Sequence, residues 1–336
     1  MNLSLFPARQ PLRQPWPLEK LVRERAIAIS HALDLSTRRN YGSACNSYLT
    51  FVRNHNLPAE PTPDTLSFYV VYMSHHISPR SVATYLSGLV SQLEPFFPEI
   101  KAARHSRLVR QTLQGCQKMF AQPTKRKRAL TRLEVDRVLA HYAPSNQHDD
   151  LLFLSMFLTA FFALLRLGEL TFPDDQYTRD WRKISRRSTV ILNNGHYSFT
   201  LPAHKADRIF EGSQILVCGE RFSCPSLFHF IRYLSSRDAL FPLASPLWLT
   251  STGAVPTRSF FIHRLRAFFP SDVAGQSLRA GGATMLADLG VSPSNIQAAG
   301  RWSSEAFRIY VRKNPFLLQN LIFGHSSSTS VASQAT

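Results

Sequence analysis

Residues 151–165 read LLFLSMFLTAFFALL, fifteen residues without a charge. A helix of that composition has no polar face, so other elements must surround it. The run is shorter than the ~20 apolar residues a helix needs to cross a bilayer. It therefore reads as the central helix of a packed domain, and the rest of the chain must supply what wraps it. With 336 residues, 44% of them hydrophobic, the chain has material for about two domains with real cores.

Residues 1–17 carry four prolines and no long apolar stretch, which predicts a flexible arm and not a signal peptide. From 18 to 120 the pattern is helical throughout. LEKLVRERAIAISHAL opens it, and STRRNYGSACNSYLTFVRNH follows with Ser36 as the expected N-cap. TPDTLSFYVVYMSHH and SPRSVATYLSGLVSQLEPFF each begin with Thr or Ser and then Pro, a helix-start pair. One basic helix is expected over 98–119. AQPTKRKRALT, 121–131, reads as a basic linker. A second, mixed domain spans 132–324. Its β-rich part, 188–217, is split by Asn193-Asn194-Gly195, a hairpin signal, and by the turn HKADRIFEGS. Three antiparallel strands are expected there, and helix again from 224. The tail, 325–336, is polar and reads as disordered. The fold class is thus mostly α with a small antiparallel sheet, in two domains.

The formal net charge is +17 and the pI about 10.3. Such an excess favours a polyanionic partner, and double-stranded DNA leads the candidates. The charge is also clustered, with nine Lys or Arg and no carboxylate between Lys101 and Arg128. Lys101, Arg104, Arg107 and Arg110 are spaced by three, so on one helix they would wind around half of it. Lys125, Arg126, Lys127 and Arg128 extend the run. These eight are the candidate DNA-binding residues. The KRKR block also fits a nuclear import signal, which predicts a nuclear protein if the host is eukaryotic. The four cysteines are scattered without zinc-site spacing and are expected as reduced intracellular thiols. No acidic cluster suits Mg²⁺ and no GxxxxGK[ST] occurs, so neither metal nor cofactor is expected.

Four separated stretches carry chemistry. ALLRLGEL, 163–170, sets Glu169 three residues after Arg166, and a guanidinium at the end of an apolar helix needs such an anion. HKADR holds Lys205 in the turn between the second and third strands. GQSLRAGGATM, 275–285, puts Gln276 and Arg279 on an opening helical turn, followed by Gly281-Gly282, which would let a second backbone approach. AAGRWSSEAFRIYVRKNP, 298–315, carries Trp302 and, eight residues later, Tyr310. Taken singly, each fits a bland role: an ion pair, a solvated lysine, a surface arginine, a core aromatic.

In this order and spacing they resemble the tyrosine recombinases, the phage-type integrases, and the Cre-like branch among them. The wording GRWSSEAFRIYVR is most similar to eukaryotic mobile-element recombinases of the Crypton type. The resemblance spans nearly the whole chain and implies a helical core-binding domain before a catalytic domain. It implies that Arg166 and Arg279 clamp a scissile phosphate, that Glu169 holds Arg166, and that Lys205 protonates the leaving 5′ oxygen. Trp302 would donate its indole N–H, and Tyr310 would be the nucleophile that forms a 3′-phosphotyrosine. Gln276 stands where the family pattern has histidine; it can donate but not titrate. The apolar segment FLLQNLIFG, 316–324, would link protomers of a homo-tetramer on DNA. The residue chemistry agrees, since phosphoryl transfer needs in-line placement and positive donors. Two alternatives stand beside a recombinase: a decayed DNA-binding module, for which Gln276 speaks, and a type IB topoisomerase, which shares the tyrosine chemistry.

Overall fold

The computed structural model describes residues 13–120, 126–203, 207, 210–218 and 225–302. Lys125, Lys205, Tyr310, the segment 316–324 and the tail 325–336 lie outside the described residues. The chain divides into two compact units, Met1–Thr124 and Lys125–Thr336.

The first unit is helical: α1 (Leu18–His31), α2 (Leu35–Asn54), α3 (Pro63–Ser74), α4 (Pro79–Leu93), α5 (Ile100–His105) and α6 (Arg107–Met119). The Thr-Pro start of α3 works as its chemistry dictates. Thr62 accepts from the Thr65 N–H at 3.2 Å, and Pro63 occupies the first turn, where its missing N–H costs nothing. Asp34, not Ser36, occupies the N-cap position of α2, and Ser36 is already inside the helix. Helices α2 and α4 approach closely because Gly88 has no side chain; a Cβ there would lie 3.0–3.1 Å from Tyr41 and Ala44. Tyr48, Phe51, Tyr69, Leu86, Leu89, Ile100 and Val109 form the core.

The basic helix expected over 98–119 is two helices. Ser106 leaves helical geometry at ψ 154° and accepts from the Val109 N–H at 3.3 Å, so it ends α5 and caps α6. Lys101 and Arg104 lie on one helix and Arg107 and Arg110 on the next. The i+3 spacing therefore does not place the four on one helical face. Lys101, Arg107 and Arg110 are exposed, and Arg104 donates to Ser87 Oγ at 2.8 Å.

The second unit holds α7 (Arg132–Tyr142), α8 (His148–Phe162), the strands β1 (Ile191–Asn193), β2 (His196–Leu201) and β3 (Ser213–Cys218), then α9 (Ser226–Leu240), α10 (Arg258–Arg266), α11 (Gly275–Asp288) and α12 (Pro293–Ala299). Helix α8 is the apolar run, and from Leu151 to Phe161 every residue is buried. The sheet has the order β1-β2-β3, antiparallel throughout. Gly195, at φ 87°, makes the hairpin turn that Asn-Gly predicts. Tyr197, Phe199 and Leu201 alternate inward along β2, and Tyr197 stacks on Phe230 of α9 at 3.9 Å. The return to helix after 224 is interrupted between α9 and α10. Buried Arg237 holds that irregular stretch by donating to the carbonyls of Phe241, Ala244 and Pro246.

Helix α11 crosses α8 on Gly281 and Gly282. A Cβ on Gly281 would overlap the Leu130 carbonyl and approach Phe161 to 2.8 Å; one on Gly282 would overlap the Phe161 carbonyl. The glycine pair thus permits the close approach of two backbones that its sequence suggests.

Candidate active site

The site begins where α8 stops. Leu164 takes the left-handed conformation at φ 53°, and the Leu165 N–H returns to the Ala160 carbonyl at 3.0 Å. This is the glycine-type helix ending, made here by a leucine. A side chain in that conformation costs about 1–2 kcal/mol. Leu164 is buried with Ala283, Ala287 and Ile296, and that apolar contact offsets the strain. The reversal leaves the carbonyls of Ala163 and Leu164 available to side-chain donors.

Arg166 then opens a single 3₁₀ turn, Leu167–Glu169. Its backbone N–H donates to Glu169 Oε2 at 2.9 Å and its Nη1 to Oε1 at 2.8 Å. The Glu169 side chain is only 6% exposed, against 31% for Arg166. The carboxylate is buried beneath the guanidinium and the guanidinium faces outward, so an ordered cation is offered to whatever binds there.

Helix α11 brings the second guanidinium. Its first residue, Gly275, packs against Leu167, and a Cβ there would sit 2.7 Å from the Leu167 Cβ. That contact sets the helix start on the Arg166 turn. Arg279, one turn on, is 4% exposed. Its Nη1 donates to the Leu164 carbonyl at 2.8 Å and its Nη2 to the Gly300 carbonyl, while the guanidinium lies 4.1 Å from the Trp302 ring centre. A buried arginine is thereby satisfied by carbonyls and a π face. It is not the surface arginine that the bland reading of this stretch allowed. Trp302 lies against Gly300, whose Cβ would overlap its ring. Gln276 is exposed at the start of α11.

The structure therefore gathers Arg166, Glu169, Arg279 and Trp302 from three separated segments, with Gln276 on the helix that carries Arg279. Lys205, in the connection between β2 and β3, and Tyr310 fall outside the described residues. One further member does not stand out in the sequence. Arg301, between Gly300 and Trp302, is at φ 54°, and its Nη2 lies 3.6 Å from Glu169 Oε2. Its one sequence signal is a cation at the middle position of the Gly-x-Trp motif.

The basic residues beyond the first unit differ in availability. Arg126 and Lys127 are exposed, and Lys127 Nζ donates to the Ser271 carbonyl at 2.6 Å. Arg128 pairs with Glu134 and with Asp272, each at 2.8 Å. Its charge is matched inside its own unit, which makes it an anchor for the start of that unit and a poor candidate for a phosphate contact. The Arg128 guanidinium is also the main reason the Glu134 carboxyl lies below its ordinary pKa.

By sequence, neither a family model nor a characterised protein matches the chain. Solved structures do match it. The XerH site-specific recombinase bound to palindromic difH substrate aligns at TM-score 0.53 and 15% identity, over 80% of this chain and 73% of that one. The Tn1549 transposon integrase in complex with transposon right end DNA aligns at TM-score 0.53 and 14% identity, over 85% and 99%. A lambda integrase dimer bound to a COC′ core site aligns at TM-score 0.52 and 14% identity, over 94% and 80%. At these identities the likeness is one of fold: the chain has the mostly helical fold of tyrosine recombinases, with their small antiparallel sheet.

Proposed function

We propose that this chain is a site-specific DNA strand-transferase, a recombinase or integrase acting through a covalent tyrosyl intermediate. The observation that carries this reading is that the one turn after α8 anchors both Arg166 and Arg279. Two elements far apart in sequence set these guanidiniums against one turn, with a buried carboxylate under the first and carbonyls under the second. In this fold, such a pair suits a phosphodiester.

In the proposed reaction Arg166 and Arg279 neutralise charge growing on the non-bridging oxygens of the pentacovalent phosphorus. Gln276 adds a neutral donor from the α11 start. The Tyr310 oxygen attacks phosphorus in line, releasing its proton to solvent and forming the tyrosyl P–O bond as the P–O5′ bond breaks. Lys205 gives the departing 5′ oxygen its proton. The free 5′ hydroxyl of a partner strand then attacks the 3′-phosphotyrosine, restoring the diester and freeing the tyrosine. Bond energy is conserved, so no nucleotide is consumed. Two rounds on two sites pass through a Holliday junction and need four protomers, which the segment 316–324 would link. In the second reading the chain grips DNA without cutting; the non-titrating Gln276 favours it.

The test is covalent trapping. Protein incubated with a random duplex pool is denatured in SDS, and adducts are isolated and the attached ends sequenced. Wild type should yield adducts with 3′ attachment at a recurrent sequence, and Tyr310→Phe should yield none while still shifting DNA. Binding without adducts by wild type would favour the second reading, and an adduct surviving Tyr310→Phe would move the nucleophile elsewhere.

A further inference from the structure

We infer that Arg301 is a positioning residue of this site, holding Glu169 and the Leu164 carbonyl in place while Arg166 and Arg279 engage the phosphate. The inference rests on the strand-transfer reading above.

Arg301 touches the supports of both phosphate arginines. Glu169 receives Arg166 on Oε1 at 2.8 Å and faces Arg301 across Oε2 at 3.6 Å. The Leu164 carbonyl receives Arg279 at 2.8 Å and Arg301 at 3.5 Å. The other Arg301 contacts are the Ala163 carbonyl at 3.5 Å and, through Nη1, the Ala299 carbonyl at 3.1 Å. Its side chain is 14% exposed, and its Nε is buried with no acceptor among the described residues.

The charges make this arrangement informative. Two guanidiniums, Arg166 and Arg301, share the one carboxylate of Glu169, while Arg279 is held beside them on the Leu164 carbonyl. Burial disfavours the Arg301 cation, Glu169 favours it and Arg166 disfavours it further. A guanidinium does not discharge at any ordinary pH, so Arg166 and Arg301 compete for Glu169 at every pH. A scaffold needing only packing here would place an apolar residue, which costs less than an incompletely bonded arginine. The planar fork reaches a carboxylate and carbonyls on two segments at once, which an ammonium cannot.

The contacts of Arg301 are longer than those of Arg166 and Arg279 to the same groups. As a phosphate draws Arg166 forward, Glu169 loses part of its partner, and Arg301 stands within reach of that carboxylate. The carboxylate then stays paired and keeps the Arg166 backbone N–H in its grip. Arg301 thus acts on the rate of the chemical step through Arg166, without itself touching DNA.

The test uses full-length protein and a nicked duplex carrying the sequence recovered by adduct trapping. Single-turnover cleavage and equilibrium binding are measured for wild type, Arg301→Met, Arg301→Lys, Glu169→Gln and the Arg301→Met/Glu169→Gln pair. Arg301→Met should slow cleavage by about 10- to 100-fold, the range for losing part of one transition-state donor, with affinity changed by less than about twofold. Arg301→Lys should recover part of the rate, because charge is restored and the fork is not. In the Glu169→Gln background, Arg301→Met should add little, since both act through one carboxylate. Wild-type cleavage by Arg301→Met overturns the inference. So does a loss of rate and affinity together that Lys does not relieve, or an effect fully independent of Glu169. If Arg301→Met does not fold, Arg301→Lys against Glu169→Gln decides by the same non-additivity. If wild type itself binds the duplex and forms no adduct, the strand-transfer reading fails first and takes this inference with it; active wild type with an indifferent Arg301 sinks the inference alone.

Discussion

Trp302 presents its ring face to the Arg279 guanidinium at 4.1 Å and its edge to Gly300. The resemblance assigns it an N–H donor; the geometry supplies a platform. The two roles separate in Trp302→Phe, which keeps a ring and loses the N–H. If the platform matters, Trp302→Phe should cleave within about tenfold of wild type and Trp302→Ala should fall at least about tenfold further, cation–π contacts being worth about 1–2 kcal/mol when desolvated. Equal rates for Phe and Ala would show that the N–H is what counts. Gln276 poses a similar choice. As a neutral phosphate donor its removal in Gln276→Ala should slow single-turnover cleavage by roughly 10- to 10³-fold. Gln276→His should be active, with a rate that varies around pH 6.5 or so, where imidazole titrates. An inert wild type restored by Gln276→His would mark the natural protein as a decayed enzyme.

Helix α11 is a glycine-dependent element. Gly275 and Gly282 are seven residues apart, nearly two turns, so they lie on one face, and each meets a neighbour where a Cβ has no room. Gly282→Ala should push α11 off α8 and destabilise the second unit by about 2–4 kcal/mol, the upper range for overpacking. Urea unfolding should show a lower midpoint, and an unchanged midpoint would mean that the crossing is not this tight. Helix α7 carries a different dependence. Thr131 and Glu134 form a reciprocal cap, and Glu134 also pairs with Arg128. The folded carboxyl lies below its ordinary pKa, chiefly through Arg128, with burial opposing and Thr131 assisting. Because the folded pKa is depressed, its contribution is full above the unfolded value of about 4.3 and lost as pH falls through the folded one. Glu134→Gln should lower stability by about 1 kcal/mol at pH 7. The difference from wild type should shrink in melts below about pH 4. A difference constant with pH would contradict this.

Across the whole molecule the charge of +17 should dominate any grip on DNA. The exposed contributors include Lys101, Arg107, Arg110, Arg126 and Lys127. Replacing Arg126 and Lys127 with glutamine should weaken binding on any sequence and reduce the log–log salt slope by about 0.9 for each phosphate that is no longer neutralised. Arg128→Gln should instead lower the melting temperature and leave the slope unchanged, because its charge is already matched by Glu134 and Asp272. A slope change for Arg128→Gln with no loss of stability would reverse these roles.

Features that depend on neighbours in the chain can be read from residue order. Thr-Pro and Asn-Gly act within a few residues, so the start of α3 and the β1–β2 hairpin are legible without a structure. So is the burial of α8, since fifteen uncharged residues leave a helix no polar face. The order of motifs likewise points to the fold. The break at Ser106 is local too, a cap on the Val109 N–H inside a run that otherwise reads as continuous helix; tertiary structure decided the rest. It set the left-handed turn at Leu164, which no glycine announces and which stands because the side chain is buried. It decided that Arg279 is buried on carbonyls, that Arg128 is an anchor, and that Arg301 shares Glu169 with Arg166. A guanidinium's role is set by whichever carbonyl, carboxylate or ring comes within about 4 Å of it, and here those partners lie as far as 144 residues away along the chain.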